Sequence, residues 1–398
     1  MPRQNPTHIA DCVIVGGGLA GLSTACLLGA HGMNIICIDQ LDPARQPRDL
    51  RTTAISYGSA KVLERAGVWA DMQDKACPIE NIEIFDGDSP LLLNFLSEEV
   101  GGQPFGWIVD NAEFKDVLIA KLARLQNVTH IAPAAVGGFD VQDDHASVTL
   151  ADGRILRGKL VIGADGRGST MREFMDVETR QWSYNQRAVI CCIGHENPHH
   201  NAAVEHFWPQ GPFAVLPMHD DAGGTHRSSI VFTEHGPKRR SLMRLSDQEF
   251  ETALAARMPP RYGAITVLNK RACYPLNLIH AASYIAPRMA LIADAAHGIH
   301  PIAGQGLNLG FRDIGALGDL LIAAHNNGDD VGNDTLLTAY QRARRFDNMT
   351  MAGVTDGLVR LFSNNNPGVR IIRRTGLKLV SRLKPAKQFF MKQAMGDR

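Results

Sequence analysis

The sequence lacks several features that define particular classes of protein. No apolar run reaches the roughly 18 residues that cross a bilayer, and residues 1–8 contain no signal-peptide core. Seven cysteines are present without a C-x-x-C pair, and there is no repeat or cluster of metal-ligand residues. These absences predict a cytoplasmic protein with reduced packing cysteines and no bound metal.

The chain has no net charge, since 41 basic residues balance 41 acidic ones, but the charge is unevenly distributed. Residues 341–398 contain thirteen Lys and Arg residues and only three Asp and Glu residues. Apolar and basic residues recur there at helix-compatible intervals, and Pro385 divides the segment into two predicted helices. The apolar residues are Ile372, Leu379, Leu383, Phe390 and Ala394, and the basic ones are Arg373, Arg374, Lys378, Arg382, Lys384, Lys387 and Lys392.

Two interpretations of this basic segment stay open. A basic amphipathic segment can rest on an anionic membrane, here the inner membrane surface. It can equally be a solvated helical cap whose apolar side packs on the rest of the chain. Nucleic-acid binding is not predicted, because no nucleic-acid-reading module or aromatic platform accompanies the charge.

What the chain does contain is a glycine-rich turn between an apolar strand and a helix. Ile9 to Val15 predicts the strand, and Leu19 to Ala30 predicts the helix. Gly16 permits a tight turn, Gly18 lets the backbone approach a pyrophosphate, and Gly21 allows close packing of helix on strand. Phosphates would then lie at the positive end of the helix.

A second apolar strand, residues 34–38, ends in Asp39. This carboxylate lies about 20 residues beyond the glycine turn, where it can accept hydrogen bonds from an adenosine ribose. The motif therefore predicts a dinucleotide site. By itself it does not distinguish FAD from NAD.

Two later motifs favour FAD. LVIGADGRGSTMR at 160–172 predicts a buried strand that delivers Asp165 into a loop before a helix. MALIAD at 289–294 has the same form and ends in Asp294, placed to bind ribityl hydroxyls. A predicted helix then begins, and its N–H groups would face the flavin pyrimidine edge. Its first residues are Gly304, Gln305, Gly306, Leu307 and Asn308.

These motifs resemble those of the class A flavoprotein aromatic hydroxylases, which have the p-hydroxybenzoate hydroxylase fold, over nearly the whole chain. Within that group, RTTAISYGSAKVLERAGVW at 51–69 and PIENIEIFD at 78–86 are similar to segments of the ubiquinone-biosynthesis hydroxylases. The resemblance implies FAD-dependent hydroxylation of the aromatic ring of a polyprenylated phenol, through a flavin C4a-hydroperoxide formed with dioxygen.

The resemblance also assigns candidate catalytic residues. It implies that Arg51 approaches the flavin and that His297, His300 and Pro301 shape the pocket beside the flavin ring. The family usually has Gly where this chain has Ala293, a change that a backbone outside the positive-φ region would tolerate.

The reductant and the activity leave alternatives open. No second glycine fingerprint lies between a strand and a helix, so the reductant is either transiently docked NAD(P)H or an electron-transfer protein. A ubiquinone-biosynthesis complex is a further partner that the resemblance implies. Another class A flavin hydroxylase or flavin reductase with a different substrate, or a non-catalytic flavin-binding scaffold, are alternative functions. A halogenase is disfavoured because no W-x-W-x-I-P segment is present.

The predicted fold class is α/β, with a Rossmann-like FAD-binding domain and an interleaved mixed-sheet substrate domain. The FAD-binding domain takes residues 1–75, 100–180 and 277–340. The substrate domain takes residues 76–99 and 181–276, including one predicted strand from Ala264 to Leu276, and 341–398 form the C-terminal basic helical segment. Aromatic residues that could line the substrate cavity or simply fill the core are Tyr184, Phe207, Trp208 and Phe213.

Overall fold

The computed structural model describes residues 9–43, 45, 48–236, 241–299, 304–362 and 366–396. Its strands are β1 (Ala10–Val15), β2 (Ile35–Ile38), β3 (Thr52–Ser56), β4 (Cys77–Ile79), β5 (Asn81–Asp86), β6 (Leu93–Leu96), β7 (Gly106–Asp110), β8 (Val128–Ile131), β9 (Val136–Val141), β10 (Ala146–Leu150), β11 (Ile155–Gly163), β12 (Thr179–His195), β13 (Ala202–Trp208), β14 (Gly211–Met218), β15 (His226–His235), β16 (Ile265–Val267), β17 (Ala272–Ala281), β18 (Ile285–Ala286), β19 (Met289–Leu291) and β20 (His297–Gly298). Its helices are α1 (Leu19–Ala30), α2 (Tyr57–Arg65), α3 (Trp69–Met72), α4 (Asn111–Ala123), α5 (Thr170–Phe174), α6 (Asp247–Ala255), α7 (Gln305–Asn327), α8 (Asp334–Phe362), α9 (Pro367–Arg382) and α10 (Lys384–Met395).

The first sheet has the order β18-β19-β11-β1-β2-β8, and β9 and β10 extend it from β11. β19, β11, β1, β2 and β8 run parallel, so their carboxyl ends meet at one edge of the sheet. All six residues of β1 are buried, as expected for a parallel strand covered on both faces. Because the three sequence motifs follow β1, β11 and β19, this topology brings them together.

The second sheet has the order β20-β17-β12-β15-β14-β13-β5-β6, with β16 beside β12. It is mixed, since β13 and β5 are parallel and the other pairs are antiparallel. A third sheet has the order β3-β7-β4. In the chain, β3 and β4 precede β5 and β6 of the second sheet, and β7 follows them. The predicted α/β fold class with an interleaved mixed sheet and C-terminal helices is confirmed, whereas the exact domain boundaries stay a prediction.

The two faces of the second sheet have different environments. One face packs on α6 through the buried residues Val189, Phe213 and Phe232. The opposite face carries Ala203 and Phe207, which pack towards α8, α9 and α10. Phe213 and Trp208 belong to the first face and fill core there, whereas Phe207 and Tyr184 belong to the second.

The predicted single strand from Ala264 to Leu276 is wrong. The chain forms β16 and β17 instead, both antiparallel to β12, with residues 268–271 between them. In this connection the side-chain oxygen of Asn269 accepts from the N–H of Cys192 in β12 at 2.8 Å, in place of a backbone carbonyl of the ladder. Long-range hydrogen bonds of this kind override local strand propensity.

The basic C-terminal segment forms α9 and α10, and Pro385 lies in the first turn of α10 as predicted. Ile372, Leu379 and Phe390 are 70%, 56% and 47% exposed. A different set of apolar residues holds the two helices against the second sheet, namely Leu377, Val380, Met391 and Met395. Four of the five apolar residues that the sequence pattern identified, Ile372, Leu379, Leu383 and Phe390, are therefore largely exposed.

The structure corrects the sequence-based grouping of Arg373 and Arg374 with the basic residues that would face a membrane or solvent. Both form ion pairs with Asp86 at the end of β5, and Asp86 is 1% exposed and Arg373 is 6% exposed. Arg373 also donates to the main-chain carbonyls of Leu361 and Phe362 at the end of α8. These two arginines anchor α9 to the second sheet.

Candidate flavin site

In the glycine turn after β1, the packing of the protein requires glycine at two positions and leaves space for a side chain at a third. Gly16 has φ +115°, and a Cβ atom there would lie 2.4 Å from the carbonyl oxygen of Ala164. A Cβ atom on Gly21 would lie 1.9 Å from the carbonyl oxygen of Gly16. Gly18 has φ −77°, and a Cβ atom there would meet nothing within 4 Å. The open space beside Gly18 is what a ligand approaching the backbone requires.

The start of α1 suits an anion. No side chain caps this helix and no acidic residue lies in its first turn, so its N-terminal N–H groups have no side-chain partner next to the open space at Gly18. Asp39 follows β2 and is 7% exposed. One of its oxygens accepts from the N–H of Leu41 at 3.1 Å, and the other lies 3.4 Å from Nζ of Lys115.

The second motif places Asp165 at the carboxyl end of β11. Its Oδ2 accepts from Oγ1 of Thr170 and from the N–H of Met171, both at 3.2 Å. Its Oδ1 is buried and has no hydrogen-bond partner among the described residues. A buried carboxylate oxygen without a partner is costly, so this atom is suited to accept from a ligand hydroxyl.

A buried arginine ties the second motif to the third. Arg172 donates to the carbonyl of Ala295 at 2.8 Å and to the carbonyl of Arg167 at 2.7 Å. Ser169 caps α5 by accepting from the N–H of Arg172. The two loops are therefore held in a fixed relation.

Asp294 lies in a single 3-10 turn after β19, and its side chain is 48% exposed. Its carboxylate is 3.4 Å from Nε of Arg167. Ala293 has φ +51°, so the condition under which the sequence tolerated a methyl group there is not met. Gly310 makes room for this methyl group, because a Cβ atom on Gly310 would lie 2.8 Å from Cβ of Ala293. The left-handed backbone costs about 1–2 kcal/mol relative to glycine.

His297 is 2% exposed and lies in β20, where Nε2 is 2.5 Å from Oδ2 of Asp313. Asp313 also accepts from Arg344 Nε at 2.9 Å and from the N–H of Ala293 at 3.0 Å. Burial opposes ionisation of Asp313, but the neighbouring His297 and Arg344 lower its pKa to about 2. Since Asp313 is a carboxylate, Nε2 of His297 is the donor. Nδ1 of His297 is buried and has no partner among the described residues.

The helix predicted after the third motif is α7. Gly304 precedes it with φ +64°, no side chain caps it, and a Cβ atom on Gly306 would meet nothing within 4 Å. Gln305 is 9% exposed and Leu307 packs beside the main core. Asn308 makes four hydrogen bonds within the protein, to Ala54, Gly304, Ser56 and Ser59. Its side chain is fully engaged and fixes the start of α7 against β3 and α2.

Arg51 precedes β3 and lies 5.2 Å above the ring of Tyr274 in the second sheet. Asp49 holds the guanidinium through two oxygens, at 2.9 Å from Nε and 2.7 Å from Nη2, and this hydrogen bonding raises the pKa of Arg51. Thr52 donates to Ser229 in the same sheet at 2.7 Å. Arg51 and Thr52 thus connect the start of β3, in the third sheet, to the second sheet.

His300 and Pro301 lie outside the residues that the structure describes. The sequence did not identify Asp313, Arg344 or Arg172 as supports of the site. The detectable signal for Asp313 was a charged residue in a largely apolar stretch of α7, since such residues are almost never buried unless they are paired. Asp313 pairs with His297 and Arg344, which lie 16 and 31 residues away, so no local pattern reveals these two pairs.

These features fit FAD. Two uncapped helix starts, each with an open glycine position, face the edge where three carboxylates follow parallel strands. One of these carboxylates has an unpaired buried oxygen. The fold and the site therefore define a dinucleotide-binding oxidoreductase of the flavin type.

The comparisons with known proteins agree with this class. A model of the FAD binding domain family matches residues 10–352. Ubiquinone hydroxylase UbiL of Rhodospirillum rubrum is 40% identical over 98% of this chain and 90% of its own length. The 3-demethoxyubiquinol 3-hydroxylase of Escherichia coli is 34% identical over 99% of both chains. The crystal structure of p-nitrophenol 4-monooxygenase PnpA from Pseudomonas putida has a TM-score of 0.81 at 22% identity, over 98% of this chain and 99% of that one, and so shares the fold.

The chain belongs to the FAD binding domain family. It is a FAD-dependent aromatic hydroxylase, a monooxygenase of the class that uses dioxygen and a reductant.

Proposed function

We propose that this chain hydroxylates the aromatic ring of a polyprenylated phenol in ubiquinone biosynthesis. The observation that carries the proposal is the 40% identity, over nearly the whole chain, to a protein named a ubiquinone hydroxylase. The partly exposed apolar residues at the centre of the second sheet, such as Ile190 and Val231, support an apolar substrate. The reductant is NAD(P)H or an electron-transfer protein.

The cofactor would be held by residues of all three motifs. Gly16, Gly18 and Gly21 would admit the pyrophosphate to the start of α1, and Asp39 would bind the adenosine ribose. Asp165 and Asp294 would accept hydrogen bonds from hydroxyl groups of the flavin side chain. The start of α7, residues 304–308, would direct N–H groups at the flavin pyrimidine edge.

The bound flavin supplies the electrons that activate dioxygen for transfer to the ring, and the protein supplies orientation and a dry site. Arg51 would lie between the second sheet and the flavin ring, and Asp49 would hold its guanidinium in place. His297 would fix the third motif through Asp313, with Nδ1 left to accept a hydrogen bond from a bound ligand. Both would position the ring and exclude water.

The C-terminal helices suggest where such a substrate enters. Ile371, Ile372, Leu379, Leu383, Phe389 and Phe390 are 47–70% exposed, and we call them the apolar surface. Exposed basic residues border it, namely Arg370, Lys378, Arg382, Lys384 and Lys392. Apolar side chains framed by cations match an anionic membrane, so we propose peripheral contact there, with a ubiquinone-biosynthesis complex as a further partner. Among the described residues, no helix is both long enough and apolar enough to traverse a bilayer.

Mass spectrometry of the quinone intermediates in a deletion strain tests the activity. We expect a polyprenylated phenol that lacks one ring hydroxyl to accumulate, and the mass should return to normal when the wild-type gene is restored. A Gly18→Val gene should fail to restore it. Unchanged quinone intermediates would mean that the substrate is different, and restoration by a Gly18→Val protein that purifies without FAD would indicate a non-catalytic scaffold.

Vesicle co-sedimentation tests the membrane contact. The triple variant Lys378→Gln, Arg382→Gln, Lys384→Gln should lose most binding to vesicles of anionic lipid, because each basic residue contributes about 1 kcal/mol near such a surface. The matched control changes three exposed arginines elsewhere to Gln: Arg45, Arg124 and Arg154. Equal loss in both variants would mean that net charge alone governs binding, and loss in neither would leave α9 and α10 as a structural cap.

A further inference from the structure

One row of residues crosses the second sheet on the face that meets Arg51 and the C-terminal helices. The strand register places these residues side by side on six neighbouring strands. In order from β5 to β17 they are Ile84, Glu205, Ala214, Val231, Ile190 and Ala272. Five of the six are apolar, so Glu205 is the single polar side chain in the row.

The row lies between two segments that pack on this face of the sheet, the start of β3 and the end of α8. At one end, Thr52 bonds Ser229 and Arg51 covers Tyr274, and these two contacts flank Val231, Ile190 and Ala272. At the other end, Phe207 stacks on Phe362 with ring centroids 3.7 Å apart. Since side chains alternate along a strand, Glu205 faces the same side as Phe207.

The residues of the row are not packed like a closed core. Glu205, Val231 and Ile190 each retain accessible surface, although their strands have neighbours on both sides in a nine-stranded sheet. Protein nevertheless surrounds the carboxyl group of Glu205. Glu205 thus lies among apolar side chains and keeps surface that a ligand can reach. Val231 is two strands away from Glu205, or about 10 Å at ordinary strand spacing.

Glu205 has no hydrogen-bond or ion-pair partner among the described residues. Burial alone raises the pKa of its carboxyl group to about 8. A polar group kept among apolar side chains without a partner is unfavourable for the protein itself. Ligand cavities commonly contain a few such groups, which fix the orientation of an otherwise apolar ligand.

We propose that Glu205 orients the substrate by hydrogen bonding to the phenolic hydroxyl group of the ring. This inference rests on the proposed function, because it takes the ligand to be a phenol with an apolar side chain. The rest of the row then contacts the apolar parts of the ligand. The hydroxyl group is the ligand's only strong polar feature, and Glu205 is its one polar counterpart in the row.

The test uses two ligands that differ only in the hydroxyl group, 2-(3-methylbut-2-enyl)phenol and (3-methylbut-2-enyl)benzene. Their binding to the FAD-loaded protein is followed by the change in flavin absorbance. Wild type should bind the phenol about three- to tenfold more tightly than the hydrocarbon, the range of one net hydrogen bond. Glu205→Leu should bind both ligands equally, and Glu205→Gln, which can still hydrogen bond, should retain part of the preference.

The pH dependence separates orientation from a merely structural role. The affinity of the wild type for the phenol should rise as the pH increases through 8, because the carboxylate is a stronger acceptor than the carboxyl group. That change should be absent in Glu205→Gln. The control is Glu83→Gln, one strand away on the opposite face, where Glu83 pairs with Arg261 at 2.6 Å. It should leave the preference and its pH profile unchanged.

Each outcome decides between the two proposals. A full preference for the phenol in Glu205→Leu, or an unchanged pH profile in Glu205→Gln, would overturn the role of Glu205 while leaving a phenol-binding enzyme. Failure of wild type to bind the phenol would overturn the proposed substrate class and this inference with it. Melting curves of the FAD-loaded variants show whether any of them is unfolded.

Discussion

The ion pairs between Asp86 and two arginines of α9 predict a measurable dependence of the C-terminal helices on one carboxylate. Removing one partner of a buried ion pair leaves an uncompensated charge and costs about 3–5 kcal/mol. The side chain of Arg374 is 30% exposed and can be rehydrated, so Arg373, at 4%, carries most of the cost. Arg373 retains two carbonyl partners at the end of α8. We therefore expect Asp86→Ala to cost about 3 kcal/mol, near the lower end of that range.

Hydrogen exchange of the α9 amides is the appropriate measurement, because local opening need not unfold the whole chain. A loss of 3 kcal/mol corresponds to about a hundredfold lower protection. The matched control is Asp152→Asn, which breaks an exposed pair with Arg154 and should leave α9 protection unchanged. If Asp86→Ala changed protection of α9 less than threefold, the anchoring argument would be refuted.

A double variant tests the same reasoning from the other side. Replacing Asp86 by Leu together with Arg373 by Met removes both buried charges. Apolar replacement of a whole buried pair is often neutral or stabilising. The double variant should therefore be protected better than Asp86→Ala alone, whereas a purely additive loss would contradict a direct coupling of the two residues.

Three further predictions concern the cofactor and pH. Gly18→Val should purify with little FAD yet keep the melting temperature of the wild-type apoprotein, since a side chain there meets only open space; full flavin occupancy would remove Gly18 from the site. Asp294→Ala should weaken FAD binding about ten- to a hundredfold, or roughly 1.5–3 kcal/mol for a lost bond to a charged acceptor, and an unchanged dissociation constant in a flavin fluorescence titration would exclude that role. The pKa of Glu205 is raised from 4.5 to about 8, so its contribution to stability is complete below pH 4.5 and is lost as pH rises to 8. The melting temperature of Glu205→Gln apoprotein should therefore increase relative to that of wild type between pH 6 and pH 9. Parallel melting curves of the two proteins across that interval would contradict this assignment.

The sequence by itself determined those features that depend on local chemistry. The helix predicted from Leu19 to Ala30 has those bounds in the structure, because a strand, a glycine turn and a small-residue helix form a local pattern. Pro385 marks the start of α10 for a similarly local reason, since proline is accepted only in the first turn of a helix. The order of Asp39, Asp165 and Asp294 after apolar strands predicts a flavin site at the carboxyl ends of those strands, and the roles of the three residues stay a prediction.

Only the tertiary structure decided which polar residues are buried and with what partners. Arg373 and Lys378 look alike in the sequence, yet one is buried against Asp86, 287 residues away, and the other is exposed. The same holds for His297, whose partner Asp313 lies in another element, and for Glu205, whose isolation depends on the register of six strands. Ala293 shows the reverse case, in which a left-handed backbone is maintained by Asp313 and by the space that Gly310 leaves. Burial and pairing depend on contacts between distant segments, and these contacts exist only once the sheets have assembled.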